Sequence, residues 1–256
     1  MFGKNGTAGP ARTVSVQKGT GPAINLSKLR AAGHVELVKR ADHAGVALDD
    51  RGLTGIRAGV VLVLTHSRSM HPDYASGKVQ QFVERVLGFA LQVDDDGTVP
   101  VLPFDSQAWP VVNATVNNYR DIVNREIWKA ERMATTDLAA ALNVVRAMAK
   151  VIDTPLYCAV VTDGNPDTGS AATEVVCDLA RYPVFLKFLA IRPVPYLQEL
   201  DKLPDSNRLL DNVDTKPDRK NPGLDLLTCS DSTFAVALAD GWDGWFVRAK
   251  KAGVLK

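Results

Sequence analysis

Gly59-Val-Val-Leu-Val-Leu64, followed at once by Thr65-His66-Ser67-Arg68-Ser69-Met70, decides how this chain folds. The first six residues contain nothing polar and are rich in β-branched valine. A strand with one wet face would alternate apolar and polar residues. A continuous apolar run is the mark of a strand covered on both faces. Two hydroxyls at i and i+2 then follow directly on its carboxyl end.

Working outward, residues 74–93 read as a helix. Val79, Phe82, Val83, Val86, Leu87, Ala90 and Leu91 recur at the three- and four-residue spacing that puts them on one face. Strands are predicted over 98–104 and, shorter, around Val111 and Val112. A polar helix follows near 118–128 and an amphipathic one over 137–150. Next come a buried strand over 157–161, a helix over 173–181, a strand over 184–191 and a short helix over 195–203. A last strand over 208–213, a polar loop over 214–229 and a single closing helix over 232–251 complete the pattern. That closing helix carries Phe234, Leu238, Trp242, Trp245 and Phe246. Upstream, a short helix is predicted over 34–40 and a loop over 45–53.

Strands alternating with helices imply an α/β fold: three layers, doubly wound, with a mainly parallel six-stranded sheet flanked by helices and Val60–Leu64 central. Such sheets place sites in the loops beyond the carboxyl ends of their strands. Three loops qualify: after Leu64, around Thr136 and after Val161. The organisation expected is a disordered leader over 1–20, an N-terminal extension over 21–54 and one domain over 55–256.

Composition narrows function. Thirty Lys+Arg against 29 Asp+Glu leave a net charge of +1, so no field of one sign draws in nucleic acid or an anionic membrane. No apolar run reaches the ~20 residues needed to cross a bilayer. The first 21 residues have no hydrophobic core of a secretory signal, and a cytoplasmic protein is expected. Cys158, Cys177 and Cys229 form no CxxC pair and no zinc spacing; buried structural thiols are expected.

The chemistry gathers in the three loops. Ser67 and Ser69 follow the first strand, Ala134-Thr135-Thr136-Asp137 opens a helix, and Val161-Thr162-Asp163-Gly164 ends a buried strand. Hydroxyls and a carboxylate converging at one sheet edge are oxygen ligands suited to a hard cation such as Mg²⁺. Ser and Thr also cap helices, and Asp-Gly also makes turns. Both readings stand at this level.

Several separated motifs resemble one family. Ser67-Arg-Ser-Met70, Asp94-Asp-Asp-Gly-Thr-Val-Pro-Val101, Phe104-Asp105-Ser106, Asn118-Tyr119, Trp245 and Ala252-Gly-Val254 are similar to bacterial von Willebrand factor A (vWA) domains of the tellurium-resistance type. The resemblance spans roughly residues 55–256, most specifically in the block from Asp94 to Phe104. It implies a Rossmann-like vWA fold, no catalysis, and a protein partner docking at the loops on the carboxyl edge. It also implies a metal-ion-dependent adhesion site of the form Asp-x-Ser-x-Ser, in which Ser67, Ser69 and Thr136 bind Mg²⁺ directly and Asp163 supplies charge.

The departure lies at Thr65, where the family has its leading Asp. Asp163 is then the one carboxylate at a matching position. Affinity in such sites follows ligand charge, and outer partners of a metal are worth roughly 10–100-fold. The expectation is a degenerate site with a weakened hold on Mg²⁺. Asp137 is expected at a helix N-terminus, where its charge is favoured.

Other readings compete. A Ser–His–Asp hydrolase would use His66, but His66 adjoins Ser67 at a strand end, where neighbours point to opposite faces. No Gly-x-Ser-x-Gly elbow is present, nor a glycine-rich nucleotide-binding fingerprint in a strand–helix context. The Asp94–Asp96 run reads as a solvated turn ending a helix. Finally, the chain could be a structural subunit of a larger assembly whose former metal site is a relic. The partner is sought first among tellurium-resistance and related stress-response proteins.

Overall fold

The computed structural model describes residues 9–256. The predicted leader therefore falls partly, over 1–8, outside the described residues. Among the described residues, β1 (Gly59–Thr65), β2 (Thr98–Phe104), β3 (Val112–Thr115), β4 (Leu156–Thr162), β5 (Val184–Ala190) and β6 (Val213–Lys216) form one sheet. Their order is β3-β2-β1-β4-β5-β6. All neighbours run parallel except β2 and β3. β1 and β4 occupy the middle, as the apolar runs require.

Alternate residues of these strands feed two cores. Val60, Leu62 and Leu64 join Tyr157, Ala159 and Val161 on one face. Over that face lie α2 (Val35–Asp49), α4 (Lys78–Val93), α8 (Asp231–Ala239) and α9 (Trp242–Lys251). Val61 and Val63 join Cys158, Val160, Leu186 and Phe188 on the other face. There α5 (Leu138–Ala149), α6 (Gly169–Leu179) and α7 (Pro195–Asp201) pack. Two short helices, α1 (Leu26–Ala31) and α3 (His71–Ala75), flank the sheet. The three layers are those the strand–helix alternation predicts.

The chain leaves β1 toward β2 on one side and later crosses to β4 on the other. The loops after β1 and β4 diverge there, opening the crevice that doubly wound sheets use for ligands.

Several expectations are corrected. Residues 9–20 are strapped to the domain rather than free. Val14 N–H donates to the Val254 carbonyl at 3.1 Å, and Lys256 N–H donates back to Val14 at 2.9 Å. Arg12 donates to the carbonyls of Lys150 (2.8 Å) and Ile152 (2.5 Å). Its charge thereby caps the carbonyl end of α5, where a cation is favoured. The Gly/Thr/Lys-rich composition conceals these two anchors.

Residues 21–54 supply α2, whose Leu37, Ala41, Ala44, Ala47 and Leu48 belong to the same core as β1. The helix runs past Gly45, which reads in sequence as the start of a loop. The absence of a side chain there leaves room for Gln92, whose amide nitrogen would stand 2.8 Å from a Cβ and donates to the Ala41 carbonyl at 2.7 Å.

The polar helix expected near 118–128 is a turn with five helical residues, Val123–Ile127. Asp121, at φ +56°, breaks the regular path. The last strand lies at Val213–Lys216, later than expected. The closing helix is two helices, divided at Gly241 with φ +76°. A side chain there would also meet Asp214, whose carboxyl oxygen lies 2.6 Å from the position of a Cβ. The aromatic residues of α9 are core: Trp242 and Trp245 are fully buried, with Trp242 packed on Phe89 and Tyr157 at ring distances of 5.8 and 5.0 Å.

Candidate functional site

Ser67 and Ser69 are delivered by the sharp exit from β1. Tyr74 of α3 anchors this turn by donating its hydroxyl to the Thr65 carbonyl at 2.9 Å. Burial, then the nearby Asp163 and Asp105 carboxylates, hold the Tyr74 phenol well above its usual pKa, so it remains a donor. A second tie runs from Arg68 N–H to the Ala134 carbonyl, 3.1 Å, joining this turn to the loop that carries Thr136.

Ser67 Oγ donates to Asp163 Oδ1 at 2.8 Å, and Ser69 Oγ donates to Asp163 Oδ2. The two hydroxyls lie 3.1 Å apart. These three predicted residues are therefore one cluster in the β1–β4 crevice. Thr136 is buried in the loop before α5, which the Arg68–Ala134 bond ties to the turn after β1, but it makes no hydrogen bond to these three; its backbone bonds run to Asp167, its N–H donating to Oδ1 at 3.1 Å and its carbonyl accepting from Asp167 N–H at 2.9 Å. Thr135 Oγ1 donates to the same carboxylate at 2.7 Å. Asp137 sits at the N-terminus of α5 and accepts from Ala140 N–H at 3.0 Å. Asp167 is a fastening residue that sequence reasoning missed. Its position four residues after Asp163, within the same flagged loop, was the available signal.

Two further charged residues went unflagged. Arg192 follows β5 and donates through Nη2 to Asp73 at 2.6 Å. Its Nη1 lies 3.5 Å from Asp163 Oδ2. Asp73 and Asp163 have side chains 7% and 1% exposed, whereas Arg192 is 37% exposed. The guanidinium thus lies across two buried carboxylates. Beyond it opens a cleft of about 780 Å³ between the loops that follow β5 and β6.

His66 points elsewhere. Its Nε2 accepts the Lys129 N–H at 3.1 Å, and its Nδ1 faces Asp105 at 3.5 Å. Burial pulls its pKa below the usual imidazole range, and Asp105 opposes only part of that shift. Both ring nitrogens are engaged away from Ser67.

The set is a poor match to a divalent ion. Asp163 is the one carboxylate among the four implied ligands, and Arg192 already faces it. Among the described residues, no three His, Cys, Asp or Glu side chains come together as a metal group. Thr65, where the resemblance implies a carboxylate, is fully buried with its hydroxyl unpartnered. A buried neutral hydroxyl cannot offset an ion's charge.

The Bacillus subtilis (strain 168) protein YcbR is 26% identical over 219 residues, covering 82% of this chain and 86% of that one. Solved structures align at lower identity. Manganese-loaded TRAP of Plasmodium vivax aligns with 15% identity and a TM-score of 0.48, over 73% of each chain. A vWA protein from Catenulispora acidiphila gives 14% and 0.47, over 72% of this chain and 43% of that one. Proximal thread matrix protein 1 of the mussel byssus, with a zinc-occupied adhesion motif, gives 15% and 0.46, over 72% and 47%. The chain thus spans under half the length of the last two. The description vWA-TerF-like, a vWA found in the TerF C terminus, matches residues 57–255. That match takes in the sheet, both flanking helix layers except α1 and α2, and every residue of the crevice, and on it the chain belongs to the vWA-TerF-like family.

Proposed function

We propose that this chain is a non-enzymatic protein-binding module that docks a partner protein on the loops at the carboxyl edge of its sheet. The observation that carries the reading is the Ser67–Ser69–Asp163 cluster, built at the β1–β4 crevice with no histidine on either hydroxyl and with the one carboxylate they share already faced by Arg192. Nucleophilic serines need a base within hydrogen-bond reach, and His66 spends Nε2 on a backbone N–H. The fold family supports interaction rather than catalysis. A near-zero net charge favours a protein over nucleic acid or membrane. Among the described residues no helix is long and apolar enough to cross a membrane, which accords with a cytoplasmic setting. The resemblance to tellurium-resistance vWA proteins directs the search for a partner to that and related stress-response systems.

The test is capture from the native cell with three baits: wild type, a variant blocked at the carboxyl edge (Ser67→Arg), and one altered at an exposed position on α2 (Val46→Asp). A partner retained by wild type and Val46→Asp but lost with Ser67→Arg is expected. Capture that survives Ser67→Arg, or ester hydrolysis that disappears in Ser67→Ala, would overturn the reading.

A further inference from the structure

The cluster contains a positive charge beside its hydroxyls and carboxylate. Arg192 reaches the crevice from the loop after β5, one strand beyond β4. It contacts Asp73 from α3 and Asp163 from the β4 loop, and its Nη1 also lies 3.7 Å from the Met70 sulfur. The side chain thus joins three segments: the turn after β1, the start of α3 and the loop after β4.

Two buried carboxylates close to one another are costly unless a cation compensates them. The serine hydroxyls donate hydrogen bonds to Asp163 but bring no charge. The guanidinium does, in a planar fork suited to bridging carboxylates. A divalent ion entering beside Asp163 would meet this charge at short range. Displacing Arg192 would strip Asp73, whose side chain is 7% exposed, of its guanidinium partner. The ion and the arginine therefore compete for one electrostatic vacancy, and the arginine is covalently present at all times.

We propose that Arg192 is the built-in cation of this crevice: it takes the electrostatic place of a divalent ion between Asp163 and Asp73 and holds the three loops together without metal. Thr65 and Arg192 then act in the same direction. A threonine in place of a carboxylate weakens the hold on an ion, and the guanidinium beside Asp163 and Asp73 makes the ion unnecessary.

The test uses the full chain, with Mn²⁺ as probe. Free Mn²⁺ is titrated by electron paramagnetic resonance and melting is followed in Mn²⁺ and in chelator, for wild type, Arg192→Gln and Arg192→Lys. Neither readout involves a partner, so the outcome is separate from that of the docking experiment. Wild type and Arg192→Lys, which keep a cation, are expected to bind Mn²⁺ weakly and to melt alike in both conditions. Arg192→Gln should bind Mn²⁺ roughly 10–100-fold more tightly, the range carried by groups adjoining a metal's ligands, and should melt higher in Mn²⁺ than in chelator. A merely structural arginine would lower stability equally in both conditions. The proposal fails if wild type binds Mn²⁺ as tightly as Arg192→Gln, or if Arg192→Gln shows no gain. Should Arg192→Gln not fold in either condition, wild type and Arg192→Lys decide: strong Mn²⁺ stabilisation of either overturns it, and unchanged melting of both supports it.

Discussion

Asp94 sits where a carboxylate is badly placed, and its titration should be visible in the stability of the whole domain. It follows the last turn of α4, is 8% exposed, and has Asp95 and Asp96 as neighbours. Its Oδ2 accepts the Val60 N–H of β1 at 2.9 Å and its Oδ1 the Asp96 N–H at 3.0 Å. Burial raises its pKa from 3.8 to about 6, against the opposing pull of those two hydrogen bonds. Between these values the folded chain holds a proton that the unfolded chain releases. Stability must therefore fall as pH rises through that window. At 1.36 kcal/mol per unit, the loss is about 3 kcal/mol, complete above the folded pKa and absent below the unfolded one. Asp94→Asn removes this titration. It also sets an amide nitrogen against one N–H donor, at a cost of about 1–3 kcal/mol that does not vary with pH. The absolute change at pH 7 is therefore small. The difference between variant and wild type should nonetheless move by about 3 kcal/mol in the variant's favour from pH 3.5 to 7.5. At about 2–4 °C per kcal/mol for a chain of this size, that is about 6–12 °C in relative Tm. Urea unfolding of both proteins at half-unit pH steps gives the curve. Parallel curves, separated by a constant within about 0.5 kcal/mol, would refute the argument.

Thr65→Asp returns a carboxylate to the crevice and should make melting respond to Mg²⁺. At a hundred times Kd the gain is about 2.7 kcal/mol, while in chelator the extra buried charge should lower Tm below wild type. Equal melting in both conditions, or a wild type already strongly stabilised by Mg²⁺, counts against it. Trp242→Ala empties the centre of the Phe89–Tyr157–Phe246 cluster and should cost about 3–5 kcal/mol by urea unfolding; a loss below about 1 kcal/mol would mean that the α8–α9 corner is not core. Arg12→Ala uncaps α5 and should cost about 1 kcal/mol, detected as faster amide exchange at its last turn; unchanged exchange there would show that the contact is idle.

What the sequence disclosed follows from what apolar patterning can encode. Gly59–Leu64 announces a central strand because both its faces are greasy. β6 is misplaced because its burial is achieved by charge: Lys216, 3% exposed, is paired with Asp218 and Asp240. A hydropathy reading prefers the leucines at 209 and 210. Lys187 within β5 is a milder case, fully buried against Asp214 and the Asp240 carbonyl, but outnumbered by its apolar neighbours. The closing helix reads as one because Phe234, Leu238, Trp242 and Trp245 keep helical spacing across a break that only Gly241 betrays. In the crevice, Ser67, Ser69 and Asp163 are legible because motif spacing and strand ends agree. Arg192 and Asp73 are not, since a lone charge in a loop or a short helix looks the same whether it is solvated or aimed inward. The rule that sites gather beyond parallel strands, applied to β5 as well as β1 and β4, is the signal that would have reached Arg192.

The strap formed by Val14 and the segment Val254–Lys256 joins parts of the chain far apart in sequence; its neighbour bond, Thr13 to Gly253, spans 240 positions. Contacts of that span contribute nothing early in folding, because the chain must first surrender the entropy of the enclosed loop. Once the sheet stands, α9 and the end of α5 already lie where the strap lands, and the remaining search is local. The clasp therefore closes last. By the same reasoning it is the segment whose opening requires the least of the rest of the protein to come apart, so the domain is bounded by a latch of its own whose breathing is separable from global unfolding.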